Sequence, residues 1–126
     1  MANDSIYRVA GTNVPGCKIL YAQIFPNGAL TPTIGENYGN IIESVAWSAT
    51  GVIIATLSDT YLYGACFPHL QLAAATNQRL GIIGFTYATT RLLTMSIMTG
   101  ATPSDVAADP GNIIHLDFRI RDSSAQ

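Results

Sequence analysis

The chain has 126 residues with six cations and eight acids, for a net charge of −2. Apolar residues make up 48% and charged residues only 11%, where an average soluble domain carries about 25% charged residues. The cations Arg8, Lys18, Arg79, Arg91, Arg119 and Arg121 form no stripe, which excludes a nucleic-acid binder held by phosphate contacts. Mean hydropathy is +0.28, yet apolar runs such as 51–57 and 80–85 fall far short of the roughly 18 residues that span a bilayer.

Residues 1–16 are irregular, end in the turn signal Pro15-Gly16 and read as an extended N-terminal arm. The opening MANDSIYRVAG lacks the cationic and apolar regions of a signal peptide, so no secretion is expected. Residues 17–126 read as a single β-sandwich domain, long enough to build a core. The first strand is expected at 17–25 (CKILYAQIF), stopped by Pro26-Asn27-Gly28. Proline there fixes φ, and Asn and Gly tolerate positive φ. A short, proline-interrupted segment at 30–34 suits an edge strand. Runs at 40–48 (NIIESVAWS) and 50–58 (TGVIIATLS) read as a hairpin turning near Gly51. Residues 61–66 and 69–75 read as two strands broken, or crossing between sheets, at Phe67-Pro68. Tyr61 and Tyr63 would share one strand face and, like Trp47, serve packing.

Residues 79–87 (RLGIIGFTY) form the next strand, with Gly81 and Gly84 marking a bulge or a close backbone approach. Residues 91–98 alternate, with Leu93, Met95 and Ile97 on one face. A loop from 99 to 111 follows, within which 104–108 (SDVAA) has the makings of one helical turn. The last segment is the most regular. Ile114, Leu116, Phe118 and Ile120 point one way, and His115, Asp117, Arg119 and Arg121 the other. Strict period-two alternation over eight residues means a strand with one buried and one polar face. About eight short strands with regular turn signals define an all-β chain, jelly-roll-like or sandwich in type.

Groups able to carry chemistry are few. Cys66, His69, His115 and Asp117 include the types needed for nucleophilic catalysis, and His115 and Asp117 share a strand face. No nucleophile sits in a recognisable elbow, so a solvated or interface-facing pair is the stronger reading. Cys17, Cys66, His69 and His115 are metal-ligand types without metal-ligand spacing. No metal and no cofactor are expected. Cys17 and Cys66 read as reduced core thiols, with their pairing left open. Tyr38, in the glycine-flanked loop GENYGN, is expected to be exposed and available for contact.

Three segments carry a resemblance: TGVIIATLSDTY at 50–61, LQLAAATNQRLGIIGF at 70–85 and ADPGNIIHLDFRIRDSS at 108–124. Together they resemble the small virion proteins of tailed bacteriophages, the head decoration (cement) proteins and their relatives. The resemblance spans roughly residues 45–124 and rests on structural motifs. It implies a non-enzymatic β-sandwich protomer, a homotrimer on the capsid surface, made in the host cytoplasm and bound to the major capsid protein. Ile6, Tyr7, Arg8 and Val9 of the arm are then the expected capsid contacts. Tyr38, His115, Asp117 and Arg119 are the expected oligomer or partner interface. The low charge fits that role, because apolar surface in excess of one core needs another chain to cover it. A tail-fibre or receptor-binding head domain recognising a cell-surface glycan is the alternative, and a small β-barrel enzyme the third reading.

Overall fold

The computed structural model describes residues 17–121, and the arm at 1–16 lies outside them. The strands are β1 (Cys17–Phe25), β2 (Thr33–Asn37), β3 (Ile42–Ala49), β4 (Val52–Leu57), β5 (Tyr63–Gln71), β6 (Gln78–Phe85), β7 (Leu92–Thr99), β8 (Thr102–Pro103) and β9 (Ile113–Arg121), with one 3-10 turn at Tyr38–Asn40. They form two antiparallel sheets, ordered β2-β1-β9-β5 and β3-β4-β7-β6, with β8 pairing to β7. The chain is an all-β sandwich.

The sheets meet through their alternating apolar residues. β9 contributes Ile114, Leu116, Phe118 and Ile120, and β1 contributes Ala22 and Ile24. The opposing sheet contributes Ile53, Ala55 and Leu57 from β4 and Leu93, Met95 and Ile97 from β7. All are essentially inaccessible to solvent. Every second residue of a strand faces the same way, so this buried set fixes the remaining residues of β1 and β9 on the outer face.

Several local expectations need correction. Residues 63–71 are one continuous strand, not two. β5 is a sheet edge paired only to β9, and an edge strand tolerates Pro68 because the missing N–H falls on the unpaired side. Tyr61 and Tyr63 do not share a strand face. Tyr61 precedes β5 and packs on the core, while Tyr63 is 53% exposed. The edge strand near residue 30 begins later, at Thr33, because Pro26-Asn27-Gly28 and Pro32 hold the chain out of the ladder; Leu30 N–H donates to the Asn27 carbonyl at 3.0 Å. Gly84 does mark a bulge, where the β6–β7 register shifts, but nothing approaches Gly81 within 4 Å of an added methyl.

The segment 104–108 makes no helical turn. Its Asp105 carboxylate accepts from Trp47 Nε1 at 2.8 Å and from the Gly51 N–H at 2.7 Å, while Gln78 Nε2 donates to the Asp105 carbonyl at 2.8 Å. A charged acceptor with two donors clamps the long loop to the β3–β4 hairpin. The loop is therefore held extended, and Val106 is delivered to the core.

Candidate functional site

The outer face of the β2-β1-β9-β5 sheet gathers what the sandwich does not use. Register sets its rows. Gln23, His115 and His69 lie side by side, then Tyr21, Asp117 and Phe67, then Ile19, Arg119 and Ala65, then Cys17, Arg121 and Tyr63. Three of the large apolar residues here are strongly exposed: Ile19 at 48%, and Tyr63 and Phe67 at 53% each. Tyr38, 56% exposed as expected, adjoins this face. Its ring centroid lies 6.0 Å from that of Tyr21.

The rings continue across the sheet. Tyr21 stacks on His115 at 5.8 Å, and His115 neighbours His69 at 6.0 Å. His115 Nε2 lies 2.9 Å from Gln71 Oε1, and Nδ1 contacts the Tyr21 hydroxyl. A carbonyl oxygen can only accept, so Nε2 donates to Gln71, and the tautomer with Nδ1 accepting from the Tyr21 hydroxyl satisfies both contacts. Tyr38 donates to Glu36 at 2.9 Å, and that carboxylate, through the hydrogen bond and its charge, holds the phenol above its ordinary pKa of 10.0. Arg119 places its guanidinium 5.5 Å from the Phe67 ring centroid. Asp117, on the central strand, makes no hydrogen bond or ion pair among the described residues.

The structure thus brings together Tyr38, His115, Asp117 and Arg119, the four residues expected at an interface. Ile6, Tyr7, Arg8 and Val9 lie outside the described residues. Sequence reasoning missed Tyr21, His69, Ile19 and Phe67 as members of the face. Only pairing partners far away in sequence place them there, although Phe67 and His69 sit two apart on one strand, which was a usable signal.

His115 spends both ring nitrogens on Tyr21 and Gln71, and Asp117 does not orient it. Cys66 and His69 are three residues apart on β5, so they point to opposite faces. Cys66 packs on the core, where burial, with a further push from the Asp117 charge, raises its thiol to about 12. Cys17 opens the outer face and does not join the core cluster, a correction to the reading of both as core thiols. The two cysteines flank β9 from opposite sides, opposite Arg121 and Phe118. That separates them by about 9–10 Å across the strands alone, beyond the roughly 7 Å a disulfide bridges; both thiols are free. Among the described residues no three His, Cys, Asp or Glu side chains lie close enough to hold a metal ion. An open cleft of about 530 Å³ lies between Phe25–Asn27, Thr33 and Ala108–Pro110. Asp109, the ionisable side chain among the described residues that line it, accepts from the Gly111 N–H at 2.8 Å.

The Cys66 environment has a measurable consequence. Its folded pKa is raised, so the folded state keeps a proton that the unfolded chain releases. The resulting stability is complete below pH 9 and is lost as pH rises towards about 12. Urea midpoints measured between pH 8 and 11 should fall, and Cys66→Ala should flatten that fall. A slope identical in the variant would show that other groups carry it.

Compared with family models, curated proteins and solved structures, the chain matches none.

Proposed function

We propose that this chain is a non-enzymatic, self-associating virion structural protein, a capsid decoration protein of a tailed bacteriophage in the closest reading of its sequence. The observation that carries the self-association is the exposed aromatic and aliphatic set Ile19, Tyr38, Tyr63 and Phe67 on one sheet side, in a chain with 11% charged residues. Such surface is costly to leave in water and is normally covered by another chain. The resemblance over residues 45–124 supplies the virion setting, the expected three copies and the capsid partner. On this reading a particle is stabilised by many repeated contacts of modest size.

Light scattering of the purified protein should give a multiple of 13.4 kDa at tens of micromolar. A single 13.4 kDa species throughout would remove the self-association. Co-sedimentation with empty capsids tests the partner. Deleting residues 1–12 should weaken that binding and leave the melting temperature of the sandwich nearly unchanged. Binding to cell-surface glycan in place of capsids would favour a receptor-binding head domain instead.

A further inference from the structure

The central strand of the outer face carries an acid and a base two residues apart, and neither has an ion-pair partner among the described residues. Arg119 lies over the Phe67 ring, and Asp117 stands between Tyr21 and Phe67 with no hydrogen-bond donor among the described residues. Both side chains are exposed. In an isolated protomer water solvates both charges. The alternation of acid and base along one strand is also what lets the face match its own copy.

We infer that this face pairs with the same face of a second copy across a two-fold axis that lies between the 117 and 119 rows and runs perpendicular to the strands. The inference rests on the self-association proposed above but not on its three copies: a two-fold contact makes a dimer, or joins two trimers face to face. A two-fold contact is isologous, so whatever residue i meets must in turn meet residue i. The rotation keeps each strand opposite itself and exchanges the two central rows. Asp117 then faces the partner's Arg119, and Arg119 faces the partner's Asp117. Phe67, on the large-residue row, lies over the partner's Ala65, and Ile19 lies over the partner's Tyr21. Charge is complementary with no residue moved between strands, and side-chain size is complementary on β5, where Phe67 meets Ala65. Sheets stack about 10 Å apart with a modest rotation from their twist, and rows beside the axis are displaced least by it.

The other broad surface, the outer side of β3-β4-β7-β6, offers no such match. Its acid, Glu43 of β3, is already paired with Arg91 at 3.5 Å within the chain, and Arg79 lies beside Met98 at the other end of the sheet. The aromatic face has a footprint on the order of 500 Å² by strand spacing and length. Stable pairs bury about 800 Å² per partner, so the contact is small and should dissociate in the micromolar range.

The experiment is a charge-exchange series on the full chain, read by sedimentation equilibrium. Asp117→Arg and Arg119→Asp should each weaken pairing by at least about tenfold, because every copy then meets a like charge. An equimolar mixture of the two variants should pair again, as should the double variant Asp117→Arg/Arg119→Asp. Melting temperatures of the dissociated protomers should stay within a degree or two, since both residues are exposed; a large fall in either would point to misfolding, and the double variant and the mixture then decide the question. Failure of both the mixture and the double variant to restore pairing overturns this axis. A wild type that remains trimeric, with the trimer indifferent to all the swaps, overturns this face while leaving self-association intact. Dimers or hexamers sensitive to the swaps support it. A wild-type monomer overturns both.

Discussion

Phe118→Ala is expected to cost about 3–5 kcal/mol of folding stability, a large part of the 5–15 kcal/mol typical of a domain. Phe118 has no solvent exposure. It sits on β9 between Leu20 of β1 and Cys66 of β5, and its ring lies 6.2 Å from that of Phe85 across the sandwich. Truncation removes transfer free energy and leaves a cavity that four strands of fixed register cannot close. The neighbouring change Arg119→Ala is the control. Its guanidinium is on the outer face, and its main intrachain contact is an exposed stack on Phe67, worth about 0.5–1 kcal/mol. Urea denaturation at protein concentrations low enough to keep the protomers apart measures both. Equal losses would contradict the assignment of the two faces of β9.

Gly51→Ala is expected to cost about 2–5 kcal/mol, more than a glycine in a hairpin turn ordinarily would. Gly51 has φ of +73°, where an alanine is strained by roughly 1–2 kcal/mol. The larger obstacle is space. A methyl group there would lie 2.5 Å from the Ile97 carbonyl oxygen and 2.9 Å from the Ser104 nitrogen. Both are backbone atoms of the adjoining strand and loop, so neither can swing aside, and overpacking of this kind costs about 1–3 kcal/mol. The same residue donates to Asp105 at 2.7 Å and accepts from the Ile97 N–H at 2.7 Å, so a shift of its backbone disturbs the clamp on the long loop. Gly100→Ala separates the two causes. Its φ is +61°, but nothing lies within 4 Å of the added carbon, and its cost should stay near 1 kcal/mol. If both variants lose the same midpoint, close approach at Gly51 is not what matters.

What the sequence determined by itself is what period-two alternation and turn chemistry can encode locally. Ile114 to Ile120 on β9 and Leu93 to Ile97 on β7 declared their buried faces because a polar residue separates each apolar residue from the next. The C-terminal end of β1 was legible because Pro26-Asn27-Gly28 stops it at Phe25. The hairpin at Gly51 was legible because two apolar runs meet there at a glycine. From these the all-β sandwich follows, as does the polar placement of His115, Asp117 and Arg119. Beyond that hairpin, tertiary structure alone decided which strands are neighbours. Pairing β1 with β9 joins residues nearly a hundred positions apart, and no local pattern specifies it. That pairing and the one between β5 and β9 set Tyr21, Phe67 and His69 beside His115 and Asp117, and so made a face out of residues that look unrelated along the chain. Pro68 misled for the same reason: a proline breaks a central strand but not an edge, and edge position belongs to the sheet. Asp105 likewise looked like a turn residue, because the Trp47 and Gly51 donors that hold it extended come from a hairpin more than fifty residues earlier.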